Sequence, residues 1–124
     1  MKMTTELKIL LVEDEVISAM AMEAQLRNAG FSVSRRVGSG EEAVSLAATE
    51  PFHVVLMDIR LARNMDGIEA ARQMKEIRET SVIFMTGYQD EETVRRVHEL
   101  APLAFLIKPV NVAQLTGILS KVRP

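Results

Sequence analysis

Cysteine is absent from this chain, which excludes disulfides and thiolate chemistry. Tryptophan is absent as well and aromatics make up only 4% of the residues. That weakens any reading as a flavin or aromatic-cage binder, because such sites stack their ligand on rings. An excess of positive charge is also missing. With 15 Lys and Arg against 17 Asp and Glu the formal charge is -2, so the chain has no basic surface for nucleic acid, and direct DNA or RNA binding is disfavoured. No apolar stretch approaches the roughly 20 residues of a membrane span, and the segment from Met1 to Lys8 has no signal-peptide apolar core. No membrane insertion and a cytoplasmic location are therefore expected. No internal repeat or Pro/Ser-rich linker divides the 124 residues, which suit one domain with a sizeable core.

What is present is an alternation of strand-like and helix-like segments, five of each. Ile9–Val12, residues 54–57 and Ala104–Ile107 are short uncharged runs, read as strands buried on both faces of a parallel sheet. Residues 31–37 alternate Phe31, Val33 and Val37 with Ser32, Ser34 and Arg36, a period of two that marks a sheet-edge strand with one wetter side. Residues 82–85 make a further strand, ending in Thr86 and Gly87. Ala19, Met22, Leu26 and Ala29 give a first helix over residues 16–29, stopped by Gly30. Ser39 and Glu42 form a capping box for a second helix, which carries Ala43, Leu46 and Ala47 inward and stops before Pro51. Ile68, Ala71, Met74 and Ile77 stripe the third. Asp90 caps a fourth with Val94, Val97 and Ala101 inward, and Asn111 with Gln114 caps a fifth carrying Leu115, Ile118 and Val122. The fold expected is α/β: a single doubly wound domain over residues 1–124, a flavodoxin-like (β/α)5 five-stranded parallel sheet of strand order 2-1-3-4-5.

Parallel strands end at one edge, and in open α/β sheets that edge holds the ligand. Glu13 and Asp14 follow the first strand, Asp58 ends the third, Thr86 the fourth and Lys108 the fifth. Carboxylates gathered there repel by roughly 3 kcal/mol per pair at about 5 Å, for an effective dielectric of about 20. Protonation, the Lys108 ammonium or a hard divalent cation can offset that, and an all-oxygen acidic cluster suits Mg²⁺. With a cation, a lysine and a threonine hydroxyl, the edge can hold a phosphoryl group whose acceptor is a carboxylate, with Asp58 the best-placed nucleophile.

Five segments in order, Ile9-Leu10-Leu11-Val12-Glu13-Asp14-Glu15, Val54-Val55-Leu56-Met57-Asp58-Ile59, Met65-Asp66-Gly67-Ile68-Glu69-Ala70, Met85-Thr86-Gly87 and Phe105-Leu106-Ile107-Lys108-Pro109, resemble the response-regulator receiver domain of two-component signalling. The resemblance covers nearly the whole chain. It implies that Asp58 accepts phosphate from the phosphohistidine of a histidine kinase or phosphotransfer protein, forming an acyl phosphate. It implies that Asp14 ligates Mg²⁺ directly, Glu13 through water, and Asp58 and the carbonyl of Arg60 complete the protein ligands. Lys108 would pair with the phosphoryl group, Thr86 would turn in to hydrogen-bond it, and Phe105 would follow as a switch aromatic, reshaping the surface of the fourth helix, fifth strand and fifth helix. A cis bond before Pro109 is likewise implied, and Arg60 and Tyr88 would flank the phosphoryl site and tune the adduct's lifetime. The chain would be a signalling switch and not a turnover enzyme, with no output domain within residues 1–124 and a downstream target unnamed by the sequence.

Departures from the family pattern are specific. Glu13 stands where Asp is commoner, and the loop 59–67 lacks a frequent proline and is one residue longer than in chemotaxis-type receivers. Phe105 carries no hydroxyl, and Val112, Ala113, Leu115 and Thr116 replace much of the charged set of winged-helix regulators, which weighs against their type of phosphorylation-dependent dimer. The main alternative is a phosphorylation-independent interaction module on the same fold. A Mg²⁺-dependent phosphatase would need a second Asp where Arg60 stands, and a flavodoxin-like carrier would not end its first strand in acids. Singly, each site residue reads as a cap, a turn or a surface group; Asp66 and Gly67 read as turn and cap, and Arg95 and Arg96 as a solvated helix face.

Overall fold

A computed structural model describes residues 6–124. Part of the signal-peptide expectation rests on residues 1–5 and lies outside the described residues. Strands and helices alternate as β1 (Ile9–Val12), α1 (Val16–Asn28), β2 (Val33–Val37), α2 (Gly40–Ala47), β3 (Val54–Asp58), α3 (Gly67–Ile77), β4 (Ser81–Thr86), α4 (Glu91–Glu99), β5 (Ala104–Ile107) and α5 (Val112–Leu119). All pairings are parallel and the strand order is β2-β1-β3-β4-β5. No helix among the described residues is long and apolar enough to cross a membrane.

Alternation along the strands divides the core between the two sheet faces. Leu10, Val12, Val55, Met57, Val82 and Phe84 pack with Ala43 and Ala47 of α2, Ala71 and Met74 of α3 and Val97 of α4. Ile9, Leu11, Val54, Leu56, Ile83 and Met85 pack with Ala19 and Leu26 of α1 and Leu115 and Leu119 of α5. β1 and β3 are buried throughout, as central strands of a parallel sheet are, and Asp58 at the end of β3 is the one polar residue they carry.

Several sequence expectations are corrected. In β2 the pairing register shifts between Ile9 and Leu10, which oppose Val33 and Arg35, leaving Ser34 as the extra residue of a bulge. Its hydroxyl accepts from the N–H of Ile9 at 3.2 Å. One extra residue flips the alternation, so Val33 packs on the α1/α5 side and Val37 on the opposite side. β5 is an edge strand on which only Leu106 is buried, so its apolar run does not mean burial on both faces. Ile77, at the end of α3, is 40% exposed, and Ala29 is also exposed.

Helix caps follow the sequence closely. Asp66, Asp90 and Asn111 accept from the backbone N–H of Glu69, Thr93 and Gln114. Ser39 accepts from Glu42 N–H, while its own hydroxyl donates to the Glu42 carboxylate, in place of the reciprocal backbone bond of a full capping box. Gly30, at φ +94°, ends α1 with Phe31 N–H donating to the carbonyl of Leu26. At the corresponding place after α4 stands Ala101, exposed and at φ +47°, and not on the core face expected for it. A Cβ in that left-handed region is strained. Ala101→Gly should therefore stabilise the fold by about 0.5–1 kcal/mol, the relief of strain exceeding the added unfolded-state entropy. A urea midpoint that stays put or falls would contradict this.

Candidate functional site

The register brings the chemistry together. Val12 pairs with Met57, placing Glu13 level with Asp58, and Thr86 pairs with Ile107, one step before Lys108. Glu13, Asp58 and Lys108 share the strand parity of Leu11, Leu56 and Leu106, which all face the α1/α5 side, so their side chains emerge on one side of the sheet edge. Lys108 Nζ donates to Glu13 Oε1 and to Asp58 Oδ2, each at 2.9 Å. Glu13 Oε2 accepts from Glu15 N–H at 3.0 Å, and Asp58 Oδ1 accepts only a long bond, 3.3 Å, from Arg60 N–H. Glu13 and Asp58 are buried, whereas Asp14 is exposed.

Burial is the largest influence on Asp58 and, with the Glu13 charge, pushes its carboxyl up to about 6 against the pull of Lys108. For Glu13, burial pushes the same way, but the Glu15 N–H and the Lys108 ammonium prevail and hold it below the usual carboxylate range. Burial works against the charge on Lys108, yet its two carboxylate partners raise it above the ordinary lysine value. At neutral pH the centre is therefore two buried carboxylates bridged by one ammonium, with Asp58 mostly ionised and one of its oxygens nearly free.

Glu13, Asp14 and Asp58 each offer an oxygen within 4.8 Å of the others. Lys108 can neutralise only one of three negative charges, and a donor set made of hard oxygens fits Mg²⁺ and not a soft metal. Thr86 is 1% exposed, its hydroxyl accepting from Tyr88 N–H at 3.2 Å. It thus lies at the edge as expected but engaged in its own turn. Phe105 is half-buried against the α3/α4 side of the core. The Arg60 guanidinium stacks over the Tyr88 ring, 3.7 Å from its centroid, joining the segment after Asp58 to the segment after Thr86. The Lys108–Pro109 bond is cis.

Three features escaped the sequence reading. Gly67 lies directly against Asp58: a Cβ there would overlap the Asp58 carbonyl oxygen and sit 2.9 Å from its carbonyl carbon. The Gly67 N–H also donates to the carbonyl of Ile59 at 2.9 Å. Arg96 does not simply face solvent but pairs with Asp66 across two helices. The outer side of α1 exposes Val16, Ile17 and Met20 at 61%, 76% and 54%. The sequence signal for the last is the start of that helix, where Ser18 is the single polar residue between Val16 and Met22, so that apolar side chains fall on its outer side as well as its inner one. Beside α1 a groove of about 540 Å³, lined by Ala21, Met22, Gln25 and Val110, opens onto Glu13 and Lys108.

The family model of the response regulator receiver domain matches residues 9–120. The chain is 31% identical to the transcriptional regulatory protein PdtaR of Mycobacterium tuberculosis over 108 residues, covering 87% of this chain and 52% of that protein. It therefore spans about half the length of this relative. It is 26% identical to a probable chemotaxis protein CheY of Rhizobium etli, covering 98% of this chain and 96% of the relative. Among solved structures, the receiver domain of a modulated diguanylate cyclase from Desulfovibrio desulfuricans superposes with a TM-score of 0.87 at 31% identity, covering 95% of this chain and 94% of that one. The receiver domain of a Pseudomonas aeruginosa sensor histidine kinase, with a magnesium ion coordinated in its active-site cleft, gives 0.82 at 30% identity, covering 95% and 98%.

Proposed function

Because the chain belongs to the response regulator receiver domain family, we propose that Asp58 accepts a phosphoryl group from the phosphohistidine of a histidine kinase or phosphotransfer protein in a Mg²⁺-dependent step. The observation that carries this reading is the unequal treatment of the two Asp58 oxygens. Oδ2 is held by Lys108 while Oδ1 has only the long contact from Arg60 N–H, so one oxygen is anchored and the other is available to attack. The Oδ1–P bond forms as the N–P bond to the donor imidazole breaks, and the leaving imidazole takes up a proton. Glu13, Asp14, Asp58 and the Arg60 carbonyl would hold Mg²⁺, which when bound supplies charge neutralisation and a position for a phosphoryl oxygen. Lys108 would then move from Asp58 Oδ2 to the phosphoryl oxygens without leaving Glu13.

The apolar outer side of α1 lies next to the site and is the face on which we place the donor protein, since Val16, Ile17 and Met20 bury little within this chain. Transfer would act as a switch. Thr86 would leave the Tyr88 N–H for the phosphoryl group, Phe105 would move further inward, and the α4, β5 and α5 surface would change its affinity for a downstream target or a fused output domain. Arg60 and Tyr88, stacked on one another and two residues after Asp58 and Thr86 respectively, would set the adduct's lifetime. The proposed setting is cytoplasmic.

Two experiments test this. An acyl phosphate is cleaved by neutral hydroxylamine and a hydroxyl-bound phosphate is not, so the modified chain should lose its phosphoryl group under that treatment. Thr86→Ala should still accept phosphate on Asp58 while losing most of the adduct-dependent gain in partner affinity, about fivefold or more. Unchanged affinity gain in that variant would separate Thr86 from the switch.

A further inference from the structure

Helix α4 is lightly anchored. Val97 is its only buried residue, and Arg95 spends its charge within the helix, on Glu92 and Glu99. Arg96 instead leaves the helix: NH1 donates to Asp66 Oδ2 at 2.8 Å and NH2 to Asp66 Oδ1 at 3.2 Å. The two-point contacts of Arg72 with Glu69 and of Arg95 with Glu92 stay within one helix, whereas this one joins α4 to the residue that caps α3. Its acceptor is already fixed, because Asp66 Oδ1 caps α3 through the Glu69 N–H at 2.8 Å, so only the Arg96 side chain loses freedom when the pair forms. The residue after Asp66 is Gly67, which lies against the Asp58 backbone. Helix α4 is thus tied to the centre twice: at its start through residues 87–90 from Thr86, and in its middle through Arg96, Asp66 and Gly67.

We propose that the Arg96–Asp66 pair is a latch that holds α4 in its resting position and thereby opposes modification of Asp58. The link to Asp58 rests on the phosphoacceptor reading above. Movement of Thr86 toward a phosphoryl group pulls on the loop that begins α4, and a displaced α4 cannot keep both Arg96 bonds to a carboxylate fixed on α3. The latch is made only in the resting state, so removing it shifts the population toward the displaced state. Linkage is reciprocal: what eases the displacement of α4 must also favour the adduct that drives it.

The test uses Arg96→Gln, Asp66→Asn and the double variant of the full chain. Asn remains a good helix cap, so Asp66→Asn removes the charge pair and keeps the start of α3. In the unmodified, Mg²⁺-free proteins, hydrogen exchange of the amides of residues 91–99 should quicken about fivefold in each single variant, with the β1 and β3 amides unchanged. The double variant should go no further than either single one. With a small-molecule phosphodonor and Mg²⁺, the adduct should form several-fold faster in both single variants. Unchanged exchange in α4, additive effects in the double variant, or equal adduct rates would each overturn the latch. Should the wild type yield no adduct, the phosphoacceptor reading falls and takes the link to Asp58 with it, whatever the exchange in α4.

Discussion

Gly67→Ala should cost about 3 kcal/mol of stability and slow phosphoryl transfer to Asp58 on the order of a hundredfold. The opening of α3 is packed so closely on the end of β3 that the added methyl would meet backbone, the Asp58 carbonyl group, as well as Met57 Cγ at 2.9 Å. Backbone cannot rotate away as a flexible side chain can, so either α3 lifts or Asp58 shifts. Lifting α3 loosens Ile68, Ala71 and Met74, all buried against the sheet; shifting Asp58 misplaces the attacking oxygen, and a displacement of about 1 Å is enough for such a rate loss. By contrast Gly87→Ala, where nothing lies within 4 Å of the added methyl, should leave stability within about 0.5 kcal/mol. Denaturant midpoints and adduct rates of the two variants check the pair, and equal behaviour would contradict the packing argument.

Lys108→Ala should be the most pH-sensitive variant. In the wild type Lys108 lies 2.9 Å from both Glu13 and Asp58, and without it two buried carboxylates face each other uncompensated. Their folded-state pKa values must then rise, Asp58 from a value already raised to about 6. A carboxyl whose folded pKa exceeds its unfolded one binds more protons when folded, so stability falls as pH rises through that interval. The deficit of the variant should therefore be largest at pH 8, about 2 kcal/mol given the partial exposure of Lys108. It should shrink steadily as the pH falls toward 5. Mg²⁺ should offset it at pH 8, and stabilise the variant more than the wild type, because a cation replaces the missing charge. Thermal melts at both pH values with and without Mg²⁺ decide this; a deficit independent of pH and cation would mean that Lys108 contributes packing and little charge compensation.

Much of the architecture was legible because hydrophobic pattern and turn chemistry agree. The buried runs of β1 and β3, the caps at Asp66, Asp90 and Asn111 and the stop at Gly30 are local signals, and the parallel order brings the strand ends to one edge. What escaped depends on contacts distant in sequence or on a single inserted residue. The bulge at Ser34 reverses a period-two pattern without altering composition. A short apolar run reads alike in a central strand and in the edge strand β5, since exposure there depends on having no neighbour. Ala101 reads as one more apolar helix position until its backbone places it beyond the helix end. Within the site, Glu13, Asp14, Asp58 and Lys108 were marked by their positions at strand ends and do converge. Gly67 and Arg96 were not, because a missing Cβ against Asp58 and a guanidinium reaching a cap thirty residues away become visible only when α3 and α4 are side by side.

The most direct measurement is the intact mass of the chain after incubation with a small-molecule phosphodonor, with Mg²⁺ and with a chelator, for the wild type and Asp58→Asn. A single phosphoryl adduct on the wild type that requires Mg²⁺ and is absent from the variant is the predicted result. An adduct of equal extent on Asp58→Asn, or none on a wild type that binds Mg²⁺, would contradict the assignment of Asp58 as the phosphoryl acceptor.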